Sequence, residues 1–249
     1  MILIDFGNTR LKWQVRVPGG EIRSRGAGVH GRGAQLPALV AGMGREVEDP
    51  QAVWIASVVG PALEAALVHE VGRWPFAPSR LVFIRAESAR CGVRSGYGDP
   101  SRLGADRWAG LIGAWRRTRR ATFILSLGTA ITLDVLDGKG LHRGGLIVPG
   151  QRSLLHALAT STATLPEVSA PGRRALGQDT ETGMANGCRL MVEGFIREAE
   201  ASIGRALAID PVRIVTGGDA GMLDPDLLAH WQPEPDLVFD GLQALAEES

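Results

Sequence analysis

Two short stretches carry the same arrangement of chemistry-bearing residues. ILIDFGNT (2–9) and FILSLGTA (123–130) each run three apolar residues, one polar residue, an apolar residue, glycine, and a small pair bearing an amide or hydroxyl. A strand that ends in Asp, then Gly and Asn-Thr, closes a tight hairpin whose amides and hydroxyl can reach a phosphate, with Gly7 permitting close backbone approach. Asp5, at the strand end, is placed to hold Mg²⁺ through water, since hard cations on nucleotides take oxygen ligands. Asn and Gly also serve a plain β-turn. The second copy favours the phosphate role, because two facing hairpins can grip a polyphosphate from both sides. A third glycine stretch, TGGDAGM (216–222), either lays its backbone flat against a base or ribose or is an ordinary strand-to-helix turn. The two copies differ in charge: Asp5 in the first is matched by Ser126 in the second.

These residues must be positioned by an α/β framework. ILI opens a first strand, Leu11–Val17 alternates as a second, and EIRSRGAG forms a third after the Gly19-Gly20 turn. A helix is predicted over AQLPALVAGMGREV, a buried strand over Ala52–Val59, a helix from Pro61, and a strand over RLVFI. The helix GADRWAGLIGAW then closes the first half. The second half repeats this order. Strands are predicted over ATFILSL, AITLDVLDG and LHRGGLIVPG, and helices over QRSLLHALAT and TETGMANGCRLMVEGFIREAEASIGRAL. The strand VRIVT, a helix near AGMLDPDLLAHW, the strand DLVF and a terminal helix GLQALAEE follow. Two βββαβαβα halves indicate an internal duplication joined near Arg117–Arg120. Arg85–Leu103 is glycine-rich and weakly periodic, as functional loops often are.

Composition narrows the classes. The 249 residues carry a formal net charge of zero, which favours neither a nucleic-acid surface nor an acidic tail. The Arg116–Arg120 cluster and Arg173-Arg174 could touch phosphate, though solvated helix or loop ends are the plainer reading. Cys91 and Cys188 lie far apart with no partner at metal spacing, and read as free thiols in a reducing compartment. MILIDFG enters structure directly without a basic leader, and no stretch stays apolar for the roughly 18 residues that span a bilayer. A soluble, cytoplasmic protein without nucleic-acid or membrane partners is expected. GAGVHG (26–31) matches G-x-G-x-x-G but follows the charged EIRSR, and reads as a loop. A P-loop motif, a G-x-S-x-G elbow and histidines at metal spacing are absent from the sequence.

IDFGNT, SLGTA and TGGDA stand in the order of the phosphate-1, phosphate-2 and adenosine motifs of the actin-like, sugar-kinase and Hsp70 ATPase superfamily. Within it the chain resembles the type III pantothenate kinases, relatives of the Bvg accessory factor, over essentially its full length. The resemblance rests on YGDPSRLGADR (97–107), GTAITLD, GGLIVPG, Leu165-Pro166, LGQDT, TGGDA and PDLVFDGL, in that order. It implies duplicated actin-like (ribonuclease H-like) βββαβαβα domains. Residues 1–118 would hold the phosphate-1 hairpin and pantothenate loop, and 119–249 the phosphate-2 hairpin, the adenosine motif and a dimer interface. It implies ATP-dependent phosphorylation of pantothenate to 4′-phosphopantothenate, the first step to coenzyme A, by a homodimer. Asp5, Gly7, Asn8, Thr9 and Lys12 would bind ATP, with Thr129 from the second hairpin. Tyr97, Gly104, Ala105, Asp106 and Arg107 would hold pantothenate, with Thr180 contributing across the dimer. Asp106 would be the catalytic base.

The local chemistry of GADR is compatible with these roles. Gly104 and Ala105 let a ligand approach a helix start, and Asp106 in its first turn stays ionised near the helix dipole. A weak base suffices, because phosphoryl transfer depends mainly on positioning and charge neutralisation. Ser126 departs from the family, which has aspartate there, assigned to K⁺ or NH₄⁺; Mg²⁺ belongs to the Asp5 side. A serine offers a neutral oxygen, so phosphoryl transfer with weakened monovalent-cation dependence is expected. Two other readings stay open: a non-catalytic regulatory or scaffold homologue, and a kinase for another small hydroxy acid.

Overall fold

The computed structural model describes residues 1–17, 19–45, 52–76, 78–169, 171–207 and 210–249. Contacts group the chain into two compact units: Met1–Arg119 with Gly140–His142 and Asp236–Ser249, and Arg120–Lys139 with Arg143–Pro235. The first is built on β1 (Ile2–Phe6), β2 (Arg10–Arg16), β3 (Ile22–Val29), β4 (Ala52–Ser57) and β5 (Arg80–Phe83), in the order β3-β2-β1-β4-β5. Central β1 pairs antiparallel with β2 and parallel with β4. It is buried on both faces, which is why it reads as an unbroken apolar run rather than an alternation. Ile2, Ile4 and Phe6 pack with Leu36, Val40 and Met43 of α1 (Leu36–Arg45) and Leu67 and Val71 of α2 (Pro61–Val71). Residues 46 and 47, predicted to extend α1, lie outside the described residues.

Segment 85–103 contains a small hairpin, β6 (Ala89–Arg90) and β7 (Val93–Arg94). Its two turn residues, Cys91 and Gly92, both have positive φ, 52° and 79°, as a type I′ turn requires. Neither Cys91 nor Cys188 forms a disulfide among the described residues. Burial, then the Glu248 carboxylate that accepts its S–H, push the Cys91 thiol up to about 12.

α3 (Ala105–Thr118) follows, buried along most of its length. The second sheet has β8 (Thr122–Leu127), β9 (Ala130–Leu136), β10 (His142–Pro149), β11 (Val212–Thr216) and β12 (Gln232–Pro233), in the order β10-β9-β8-β11-β12. This is the first unit's order again, as the duplication predicts. Phe123, Leu125 and Leu133 pack with Val192 and Ile196 of α5 (Thr180–Leu207). α4 (Gln151–Ser161) packs its Leu155 on Met184 and Cys188. α6 (Pro225–Leu228) is a single turn, and α7 (Leu237–Glu247) ends the chain. Among the described residues no helix is long and apolar enough to cross a membrane.

Three expectations need correction. DLVF is not a strand: Asp236 precedes α7 and Leu237–Phe239 form its first turn, while the last strand is Gln232–Pro233. Buried Leu237, Phe239, Leu242 and Leu245 show the helical spacing that decides it. Chain order puts α7 in the second domain, but α7 groups with the first unit. There it crosses α3 with almost no space between backbones. A Cβ on Gly113 would stand 2.2 Å from the Leu237 carbonyl oxygen, and one on Gly241 1.9 Å from that of Ala109. Finally, the strand predicted over EIRSRGAG is present and runs on to Val29, so the overlapping loop reading of GAGVHG fails for Gly26–Val29. Cβ atoms on Gly26 and Gly28 would collide with Trp13 and Leu39, so these glycines make room for those side chains.

Glu193, fully buried on α5, accepts from Arg174, Arg189 and the backbone N–H of Asp224. Burial pushes its pKa up, but these bonds outweigh it and hold the carboxyl below the ordinary glutamate range. A folded pKa below the unfolded one gives stability present above about pH 4.3 and lost as pH falls through the lower folded value. Glu193→Gln is therefore expected to cost about 3 kcal/mol at neutral pH, with the deficit shrinking in acid; chemical unfolding at pH 7 and pH 3.5 checks this. Gly241→Ala should destabilise by about 3 kcal/mol. Gly110→Ala, whose Cβ meets nothing within 4 Å, should be neutral or stabilising in the same melts.

Candidate functional site

In the first unit the β1–β2 turn is closed by the Gly7 N–H donating to the Arg10 carbonyl at 3.0 Å. Asn8 and Thr9 are exposed at its tip. Asp5 and Lys12 are cross-strand partners, so their side chains leave the same face. Lys12 Nζ stands 3.1 Å from Asp5 Oδ2. A half-exposed pair of this kind stabilises by at most about 1 kcal/mol; its consequence is a carboxylate held in place at the carboxyl end of a central strand.

The hairpin is braced from behind by a residue the sequence pattern did not single out. His30, fully buried just after β3, donates its backbone N–H to the Thr9 carbonyl at 3.2 Å. Its Nε2 lies 3.0 Å from the Gly7 carbonyl oxygen and its ring meets Phe6 edge-on at 5.3 Å. A carbonyl only accepts, so Nε2 carries the proton. Nδ1 has no hydrogen-bond partner among the described residues. The one available signal was position: a histidine at the end of the third strand faces the tip of the first hairpin.

The GADR run starts α3. Gly104 is the N-cap, and Asp106 Oδ1 accepts from the Arg107 backbone N–H at 2.7 Å. A Cβ on Gly104 would lie 2.8 Å from that Oδ1 and 3.6 Å from Val58 Cγ1. Glycine thus leaves room for the carboxylate to fold back over the helix start. The Val58 N–H in turn donates to the Phe6 carbonyl at 3.2 Å. The GADR turn and the Asp5 hairpin therefore share the carboxyl edge of one sheet, where open α/β folds bind ligands. Arg107 Nη1 donates to the Tyr97 hydroxyl at 3.1 Å, and the Tyr97 N–H donates to Ser95 Oγ at 3.2 Å. Asp99 accepts from the N–H and hydroxyl of Ser101, which holds its pKa below the usual range.

The second unit repeats the hairpin with other chemistry. Gly128 N–H donates to the Ala130 carbonyl at 3.2 Å, and the Thr129 carbonyl accepts from Gly150 N–H at 2.9 Å and Ser153 Oγ at 2.7 Å. Gly150 thus fills the place of His30, and a Cβ there would lie 2.1 Å from the Gly128 oxygen. Ser126 is in register with Thr132 on one side and Thr216 on the other. Three hydroxyls thus form a row across the sheet where the first unit has Lys12, Asp5 and Ala56.

TGGDA packs on the same end. Gly217 has φ +98° and no room for a Cβ, which would lie 2.1 Å from the Leu127 oxygen. Asp219 N–H donates to that oxygen at 3.1 Å, and Arg152 stands 3.5 Å from the Asp219 carboxylate. A cavity of about 10 Å³ lies among Gly128, Gln151, Asp219 and Met222, and Gln151 Oε1 is buried without a hydrogen-bond partner among the described residues. Thr180 is the exposed first residue of α5, after Asp179, whose carboxylate accepts from Thr182 N–H at 2.8 Å. Among the described residues no three His, Cys, Asp or Glu converge as a metal site.

A family profile described as type III pantothenate kinase matches residues 1–201. The type III pantothenate kinase of Halorhodospira halophila is 37% identical over 246 residues, covering 97% of this chain and 95% of the relative. That of Nitrosococcus oceani is 33% identical over 256 residues, covering 100% and 94%. Among solved structures, the ROK family glucokinase of Streptomyces griseus, in complex with glucose and AMPPNP, superposes with a TM-score of 0.53 at 16% identity, covering 100% of this chain and 99% of that one. The fold is that of the actin-like ATPases and sugar kinases.

His30→Phe keeps the ring against Phe6 but removes the bond to Gly7. The Gly7 and His30-position amides should then exchange with solvent about 10-fold faster, while the β1 amides of Leu3 and Ile4 keep their protection; hydrogen exchange by NMR measures both.

Proposed function

The chain belongs to the type III pantothenate kinase family, and on that premise we propose that it transfers the γ-phosphoryl group of ATP to the primary hydroxyl of pantothenate. The product would be 4′-phosphopantothenate, on the way to coenzyme A. The observation that carries this reading is the placement of Asp106, Arg107 and Tyr97 at the same sheet edge as the Asp5 hairpin, in a chain aligned with the family along its whole length.

Gly7, Asn8 and Thr9 present amides and a hydroxyl to the phosphates, with Lys12 adding charge and Thr129 contributing from the second hairpin. Asp5, an ionisable oxygen donor fixed by Lys12, fits Mg²⁺ held through water. When bound, that ion neutralises charge on the phosphates. Gly104 and Ala105 admit pantothenate to the helix start, while Tyr97 and Arg107 orient it. Asp106 accepts the proton of the attacking hydroxyl as ADP leaves. Thr180 completes the pocket in a homodimer, and the protein works in the cytoplasm.

The neutral row Thr132–Ser126–Thr216 fits a weakly held monovalent cation or none. Phosphoryl transfer therefore proceeds with little dependence on K⁺ or NH₄⁺. That same loss of a carboxylate is the observation favouring a non-catalytic regulatory homologue, so one assay separates the two.

ADP release is measured with ATP, Mg²⁺ and pantothenate, with and without K⁺. Turnover should require pantothenate, change less than about twofold with K⁺, and fall at least about 100-fold in Asp106→Asn with KM for ATP unchanged. Ser126→Asp should restore a K⁺ requirement. No turnover from folded protein would support the regulatory reading. Turnover with a different hydroxy acid would move the substrate, and a strict K⁺ requirement in the native chain would overturn the role given to Ser126.

A further inference from the structure

Tyr97 is the single tyrosine of the chain. Its ring stacks on His142, with centroids 5.5 Å apart and planes at 26°. His142 is fully buried at the start of β10. Although it belongs to the second repeat in sequence, Gly140–His142 group with the first unit.

The backbone before His142 leaves it little freedom. Arg94 N–H donates to the Gly140 carbonyl at 2.9 Å, and Leu141 bridges to Arg94 in parallel. Gly140, at φ +75°, approaches the β6–β7 turn so closely that a Cβ would stand 2.3 Å from the Gly92 oxygen. The imidazole is thereby delivered against one face of Tyr97. Tyr97 is also held by Ser95 Oγ at its N–H and by Arg107, which donates to its hydroxyl and whose guanidinium carbon lies 5.8 Å from the ring centroid. Arg107 is itself tied to the hydroxyl, so the stacked imidazole, with its plane 26° from that of the ring, is the flat surface the ring lies against. A tyrosine side chain has two torsions, and a flat neighbour against its face is what selects one ring plane.

We propose that His142 is a positioning residue that sets the plane of Tyr97, and through the hydroxyl the direction of Arg107, so that it governs affinity for the acceptor substrate and not for ATP. This rests on the reading that Tyr97 and Arg107 hold pantothenate. His142 is fully buried behind the ring, so its effect passes through the stacked tyrosine. The phosphate-1 hairpin is braced separately by His30, so the two histidines divide the control of the two substrates.

The test compares His142→Ala with His142→Phe, which restores a flat ring without the imidazole nitrogens. KM for pantothenate should rise about 5- to 10-fold in His142→Ala and return to within about threefold in His142→Phe. KM for ATP should stay within about twofold in both. Tyrosine labelled with ¹³C at Cζ gives one ring resonance, because the chain has a single tyrosine. It should move downfield in His142→Ala, where the shielding imidazole is gone, and return upfield in His142→Phe. Should the alanine variant not fold, His142→Leu keeps the volume and removes the flat ring. An unmoved Tyr97 resonance, an unchanged pantothenate KM, or equal rises in both KM values would overturn the proposal. Native protein that neither turns over pantothenate nor shifts its Tyr97 resonance on pantothenate addition would sink the substrate reading itself. Native turnover with indifferent variants would sink only the role of His142.

Discussion

Where α3 and α7 cross, Gly113 and Gly241 bring two helix backbones into direct contact, and much of the first unit is arranged around that crossing. The side chains that would normally set the distance between helices are missing, so carbonyl oxygens set it instead. Polar contacts then fix α7 along its length. Arg16, 5% exposed, donates to Gln14, Asp240 and Gln243. Gln14 reaches Asp236, Arg117 reaches Asp240, and Arg90 and Cys91 reach Glu248. A buried guanidinium is tolerated only when its donors are satisfied, so the sheet, α7 and α3 are mutually specified. The first turn of α3 carries Asp106 and Arg107. The last helix of the chain therefore determines where the proposed catalytic base stands, without contributing a side chain to the chemistry.

The two repeats show how one scaffold takes two kinds of chemistry. Both central strands pair antiparallel on one side and parallel on the other, and both end in a hairpin whose tip carbonyl is held by the residue after the third strand. In the first repeat that residue is His30, whose ring also grips Gly7. In the second it is Gly150, pressed so close that no side chain fits, with Ser153 supplying the second bond. One hairpin is braced by a side chain and the other by a helix N-terminus. The positions ahead of the turn diverge in the same way, an ion pair in one and a row of hydroxyls in the other.

Much of this was legible in the sequence, for identifiable reasons. The duplication showed because strand and helix periods recur in one order, and the hairpins because Gly7 and Gly128 sit at fixed places after apolar runs. GADR was readable as a helix start because a small pair precedes the acidic residue. DLVF misled because a four-residue apolar run fits either a strand or a helix turn, and only the continuation through Leu242 and Leu245 tells them apart. The membership of α7 was hidden because its partners, Gln14 and Arg16, are more than 200 residues away in sequence. GAGVHG read as a loop because it follows the charged EIRSR, while the side chains that fill the missing Cβ volumes of Gly26 and Gly28 come from Trp13 and Leu39, distant in sequence. His30 and His142 were invisible for the same reason: a lone histidine has no local pattern, and each acts through a partner brought to it by the fold.

The hydroxyl row around Ser126 also has an energetic logic. An aspartate there would put a charge beside Thr132 and Thr216, both over 90% buried, and an unpaired carboxylate in such surroundings is costly unless a cation accompanies it. Serine removes that charge and its cost. The same sheet face already carries Asp134, 2% exposed and in register with Ile124. With serine at 126 that face has one carboxylate to accommodate instead of two. The first repeat solves the corresponding problem internally, because Lys12 stands beside Asp5. Both central strands therefore carry the charge at this position either paired, as Asp5 is with Lys12, or absent, as at Ser126.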